Sequence, residues 1–161
     1  MIDKLFSDIS EAYFWDKWES KMMVNNRKYI SPDSPDVKQL ADGMNILTGQ
    51  NDIGIARDVS DWIASNYDYK LEKKWRRPRQ TIIDQMGDCE DFTFLLASLL
   101  PHFGVDEFTI VAGDAITGNL SELHVWLEID GEVIDPTASA LQAEHVRYNS
   151  ELRFDITVGE F

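Results

Sequence analysis

Cys89 is the only cysteine in this 161-residue chain, and it sits in GDCEDFTFLLASLL (Gly87 to Leu100) with Asp88 before it and Glu90 and Asp91 after it. Asp88 is a favoured N-cap residue and an apolar run follows, so the thiol falls in the first turn of a helix. Unpaired N–H groups and the helix dipole lower a thiol pKa there, while neighbouring carboxylates raise it. Such a thiol can act as a nucleophile when a histidine lies within hydrogen-bond reach and a third group orients that histidine. The competing reading is a small buried hydrophobe, a frequent fate of a free cysteine.

The chain offers three histidines, His102, His124 and His145. His102 lies at the far end of the Cys89 helix, roughly 20 Å away at 1.5 Å per residue, where it faces the C-terminal dipole. His145 follows ALQAE in a polar segment that supplies no partner. His124 opens HVWLEIDGEVIDPT, in which Asp130-Gly131 between apolar runs marks a two-residue type I′ hairpin. That turn pairs Ile129 with Glu132 and, stepping back, Trp126 with Asp135. His124, Trp126, Val133 and Asp135 then share one face, with Val125, Leu127, Ile129 and Ile134 on the other. His124 and Asp135 become diagonal neighbours within reach of an imidazole–carboxylate hydrogen bond. A three-residue loop would put them on opposite faces.

The elements around these residues read as helices first and strands afterwards. Ile2 to Val24 has the spacing of an amphipathic helix, and SPDSPD (Ser31 to Asp36) separates it from the rest. This predicts an N-terminal helical arm, residues 1–28, added to a main domain of residues 29–161. Asp36 is the expected N-cap of a helix reaching about Leu47, and a second helix is expected from Asp52 or Ile53 to Asn66. The latter carries Ile55, Val59, Trp62 and Ile63 on one face. A short helix near Pro78 should stop at Gly87, and the Cys89 helix should run to about Phe103, ended by Gly104. EFTIVAG (Glu107 to Gly113), the hairpin and LRFDITV (Leu152 to Val158) read as strands, and loops such as Asp114 to Ser121 as the walls of a cleft. The fold class is α+β.

Composition narrows the partners. With 43% hydrophobic residues, 11% aromatic and five Trp, the chain is globular, and one cysteine permits no internal disulfide. The formal net charge of -14 repels phosphate backbones, which argues against nucleic acid. No run approaches the roughly 18 apolar residues of a membrane span, and the N-terminus lacks the apolar core of a signal peptide. The expected location is the cytoplasm, or a particle assembled there.

WRRPRQTIIDQMGDCEDFTFLLASLL, a short strand and HVWLEIDGEVIDPT together resemble the transglutaminase-like superfamily. The likeness runs from about Tyr29 to Thr137 and comes nearest the bacterial transglutaminase-like cysteine proteinases and their archaeal relatives. It implies a papain/transglutaminase-like core, with the Cys opening a central helix packed on an antiparallel sheet. It implies Cys89 as nucleophile, His124 as general base and then acid, and Asp135 as the orienting carboxylate. The backbone N–H of Cys89 would help hold the oxyanion, with Trp75 or Gln85 as side-chain candidates; a plain core aromatic is the other reading of Trp75. No cofactor is required. Some relatives bind calcium through carboxylates around the Cys, and Asp88, Glu90 and Asp91 match that cluster.

The implied reaction is hydrolysis of a peptide or amide bond through a thioester, on a protein or peptide substrate. The same three residues would also serve a transglutaminase or a deglycosylating amidase. A non-catalytic structural or virion module that keeps the fold and binds an assembly partner is the reading from a different class.

Overall fold

A computed structural model describes residues 18–22, 27–47, 49–72 and 74–160. The expected helix from Ile2 to Val24 lies mostly outside the described residues. Its stretch 18–22 is helical, and Trp18 and Met22 are buried in the core.

Helix α1 (Pro35–Gly43) begins one residue before the expected N-cap and ends four residues before Leu47. Ser34 is its N-cap and Pro35 opens it with a preset φ, so Asp36 falls in the first turn instead. Helix α2 (Asp52–Asn66) matches its expected span, with the Asn51 side chain accepting from the Gly54 N–H at 2.8 Å. Ile55, Ala56, Val59, Ser60 and Ile63 form its buried stripe, and Trp62 is half-buried beside it.

Helix α3 (Pro78–Asp84) is stopped by Gln85 in the left-handed region, not by Gly87. Gly87 is needed for another reason. A Cβ there would meet the Asp91 Cβ at 2.7 Å and the Phe92 ring at 3.3 Å, so only glycine lets this strand lie on the next helix. Gly87 belongs to β2 (Met86–Gly87), which pairs in parallel with β1 (Asp68–Tyr69).

Helix α4 (Cys89–Leu99) is the centre of the molecule, and every one of its residues is buried. A 3₁₀ turn, Leu100–Phe103, continues it to Gly104 at φ 85°. A helix that is apolar nearly all round must be covered on every side. Helices α1, α2 and α3 and the sheet supply that cover. Its buried hydroxyls are paired: Ser98 donates to the Phe94 carbonyl at 2.8 Å and accepts from the Ser31 N–H at 3.0 Å.

The sheet has four antiparallel strands in the order β5-β4-β3-β6: β3 (Glu107–Thr117), β4 (Leu120–Ile129), β5 (Glu132–Ile134) and β6 (Arg147–Thr157). The α+β class is as expected. The segment Asp114 to Ser121 is not a cleft loop. It is strand and tight turn, with Asp114 opposite Leu123 and Thr117 opposite Leu120. Gly118, at φ 59°, makes that turn. Strand β6 starts five residues before the expected Leu152, because its first half is polar and hides the strand pattern. Its register shifts between Ala112 and Gly113, where the Gly113 backbone passes so close to Asn149 that a Cβ would overlap the Asn149 carbonyl.

Candidate active site

Asp130 and Gly131 both have positive φ, 51° and 80°, the mark of a type I′ turn. Ile129 therefore pairs with Glu132 and Leu127 with Ile134. Two distinct faces are the consequence: Val125, Leu127, Ile129 and Ile134 enter the core, and His124 and Asp135 meet outside that stripe.

His124 Nε2 and Asp135 Oδ2 are 2.7 Å apart, and neither side chain is more than 3% exposed. Tyr148 on β6 donates its hydroxyl to the same Asp135 oxygen at 2.8 Å. The other carboxylate oxygen accepts the N–H groups of Thr137 and Ala138 and so caps helix α5 (Pro136–Ala140). Burial pushes the Asp135 carboxyl up. The nearby His124 charge and the hydrogen bonds from His124, Tyr148 and Ala138 outweigh burial and hold it below its usual value. The His124 ring stacks on Trp126, with centroids at 5.9 Å, and Tyr148 packs against Trp126 at 4.9 Å with the two planes inclined by 56°. His124 Nδ1 is buried without a hydrogen-bond partner among the described residues.

Cys89 is fully buried at the start of α4. Strand β5 pairs only with Leu127 to Ile129, so the Val125 carbonyl next to His124 is left at the sheet edge. Thr93, one turn after Cys89, donates its hydroxyl to that carbonyl at 3.3 Å. This bond ties the first turns of α4 to the His124 end of β4. No hydrogen bond joins the thiol to the imidazole. The thiol instead donates to Glu90 Oε2 at 3.0 Å.

The expected lowering of the thiol pKa by the helix N-terminus is reversed. Burial, then the charges of Glu90 and Asp88, push the Cys89 thiol well above its ordinary value. The three acids have separate tasks. Asp88 caps α4 and forms a capping box with Asp91, whose Oδ2 accepts the Asp88 N–H at 3.2 Å. Asp91 also accepts the Arg76 N–H at 2.7 Å and the Arg76 guanidinium at 3.2 Å. Burial and the charges of Glu90 and Asp91 raise the Asp88 carboxyl to about 11.

These partners bear on the calcium expectation. The oxygens of Asp88, Glu90 and Asp91 point to backbone N–H groups, the thiol and Arg76, with Asp88 Oδ2 also accepting from the Glu72 N–H at 3.4 Å. Among the described residues no group of three or more His, Cys, Asp or Glu is arranged to hold a metal ion. The cluster as folded does not fit calcium.

Trp75 is buried among aromatic rings, with Tyr29, Phe94 and Trp18 at 5.1, 5.2 and 5.4 Å. Gln85 is exposed. His102 lies in the last turn of the 3₁₀ continuation of α4, at the expected helix end, and its Nε2 lies 2.8 Å from the Pro32 carbonyl and pins the loop before α1. His145 adopts φ 57° in the turn before β6. Tyr148 and Arg76 escaped the sequence reading. Tyr148 lies in a polar stretch whose pairing with Asp135 no local pattern reveals, whereas WRRPR beside an acidic helix start is a charge signal that points to Arg76.

A cysteine at the head of a buried helix, beside a hairpin that joins a histidine to an aspartate, defines an α+β protein of the papain-like kind. The chain belongs to the transglutaminase-like superfamily, whose sequence model matches residues 38–132. Among solved structures it is similar to a candidate cysteine protease from Cytophaga hutchinsonii, at 16% identity and a TM-score of 0.50, over 80% of this chain and 51% of that one. It thus spans about half the length of that protein. It is also similar to LapG of Legionella pneumophila, at 17% identity and a TM-score of 0.48, over 73% of this chain and 84% of that one. The calcium-bound form of LapG aligns at 18% identity and a TM-score of 0.43, over 76% of this chain and 86% of that one. No curated protein matches the sequence. Among the described residues, no helix is long and apolar enough to cross a membrane.

Proposed function

We propose that the protein is a cysteine-dependent hydrolase of peptide or amide bonds, with Cys89 as nucleophile, His124 as base and Asp135 as the group that orients His124. The observation that carries this reading is the buried His124–Asp135 bond at 2.7 Å, which occupies Nε2 and leaves Nδ1 as the one unpartnered nitrogen. An imidazole held this way can take a proton only at Nδ1.

In the proposed reaction the thiol turns from Glu90 to His124 Nδ1 and gives up its proton. The sulfur attacks the substrate carbonyl, and the imidazolium protonates the departing amine to leave a thioester. His124 then takes a proton from water, which attacks the thioester and releases the acid and the thiol. The Cys89 N–H at the helix start is the donor available for the oxyanion. Asp135, kept ionised, stabilises the imidazolium in both steps. Calcium has no part in this scheme.

Hydrolysis of a casein or fluorogenic peptide panel by the parent protein, lost in Cys89→Ala and in His124→Ala, is the expected result. Activity that survives Cys89→Ala would remove the mechanism.

A further inference from the structure

A cavity of about 340 Å³ lies beside Asp135, between α2, strand β5 and the segment that joins α5 to β6. Its size is at the lower end of ligand pockets, roughly 300–1,000 Å³, and suits one side chain better than a large ligand. Part of its wall is apolar, built by Val133, Ala138, Ala143 and Val146. Opposite them stands one face of α2, where Arg57, Ser60 and Asp61 occupy positions i, i+3 and i+4. Asp135 and Tyr148 complete the wall, so the cavity borders the group that holds His124.

Two acceptors in this wall are unused. Ser60 is only 3% exposed, and neither its hydroxyl nor the Asp61 carboxylate makes a hydrogen bond or ion pair with any described residue. A hydroxyl so placed is met by whatever fills the cavity. The other charges are already matched. Arg57 turns to Glu132 at 3.2 Å, in a surface pair whose side chains are both more than half exposed. The Asp135 oxygens accept from His124, Tyr148 and the N–H groups of Thr137 and Ala138. Asp61 is therefore the charge of the wall that lacks a counterion.

We propose that this cavity receives a lysine side chain of a polypeptide, which on the hydrolase reading belongs to the substrate. The apolar wall takes the lysine stem. The ammonium has three donors, and Asp61, the Ser60 oxygen and the lone pair that Tyr148 keeps after donating to Asp135 are acceptors for them. A compact ammonium fits a cavity this small better than a planar guanidinium. A carboxylate would face Asp61 and Asp135 and be repelled. The net charge of -14 draws a basic segment toward the protein before it docks.

The test is a heteronuclear NMR titration of the isotope-labelled full chain carrying Cys89→Ser, with the blocked peptide Ala-Ala-Lys-Ala-Ala as probe. Amide shifts should concentrate at Ser60, Asp61, Ser139 and Val146, around the cavity. The same peptide with norleucine in place of lysine keeps the stem and loses the ammonium, and should bind at least about threefold more weakly. Asp61→Asn, at an exposed position, should weaken the lysine peptide by a similar factor, and the same spectra report that the variant is folded. Equal binding of the two peptides, shifts centred elsewhere, or no change in Asp61→Asn would overturn the site. An arginine peptide that binds more tightly would overturn the lysine assignment. Cadaverine that binds more tightly at the same amides would overturn the polypeptide in favour of a free diamine. Absence of hydrolysis in the parent protein touches only the reaction assigned to Cys89, because the binding is read without turnover.

Discussion

The Cys89 thiol donates to the Glu90 carboxylate at 3.0 Å, and both side chains are buried in the first turn of α4. Glu90 thus holds the proton on sulfur, the opposite of what the helix dipole would do by itself. Replacing Glu90 by Gln removes that charge and leaves the volume unchanged. Iodoacetamide alkylation of the single cysteine, followed by intact mass at pH 8, should accelerate on the order of tenfold in Glu90→Gln, since a charge in contact with an ionising group shifts it by about one unit or more. An unchanged rate would mean that burial alone sets the thiol.

The same carboxylate makes stability depend on pH. Burial, then the charge of Asp91, raises Glu90 from 4.5 to about 7. Between those values the folded chain holds a proton that the unfolded chain has lost, so stability falls as pH rises across this window. The melting temperature should drop by several degrees from pH 4.5 to 7.5, a few degrees corresponding to about 1 kcal/mol in a chain of this size. Glu90→Gln should make that slope shallower and leave the share that the raised Asp88 carboxyl contributes with the same sign. A parent profile already flat over this range would contradict the raised Glu90.

Asp135 responds in the opposite direction. Its carboxyl is held below its ordinary value, so its contribution is present above the unfolded pKa and lost as pH falls through the lower folded one. Tyr148→Phe deletes one hydrogen bond to Oδ2, at a cost of about 1–2 kcal/mol. Acid unfolding of this variant, followed by circular dichroism from pH 5 to 2, should begin at higher pH than in the parent. Identical acid transitions would show that Tyr148 does not support the carboxylate.

Much of the His124–Asp135 geometry was legible because a two-residue Asp-Gly turn fixes register, and register fixes faces. The Cys89 helix was legible from its cap and apolar run. Glu90 as acceptor of the thiol was not, since the rotamer of a buried acid follows from what surrounds it. The same holds for Tyr148, brought beside Asp135 only when β6 pairs with β3. The strand from Asp114 to Thr117 was missed because polar residues and Gly118 read as loop, when the glycine was supplying the turn of a second hairpin.

Arg76 gives the sharpest stability prediction. Its guanidinium meets Glu72, Asp84 and Asp91, of which Asp91 is fully buried and the other two are about one-third exposed. Arg76→Met keeps the apolar stem but strands the Asp91 charge, and urea denaturation should show a loss of about 3–5 kcal/mol. Glu72 and Asp84 can turn to water and add little. Arg76→Met combined with Asp91→Asn should recover part of that loss, because no buried charge remains; the recovery is incomplete because the single Asn oxygen accepts only one of the Asp88 and Arg76 N–H groups, which Asp91 accepts on separate oxygens. Strictly additive losses in this cycle would show that Arg76 acts by packing alone, and that its charge does not hold the Trp75–Arg77 segment against the Cys89 helix.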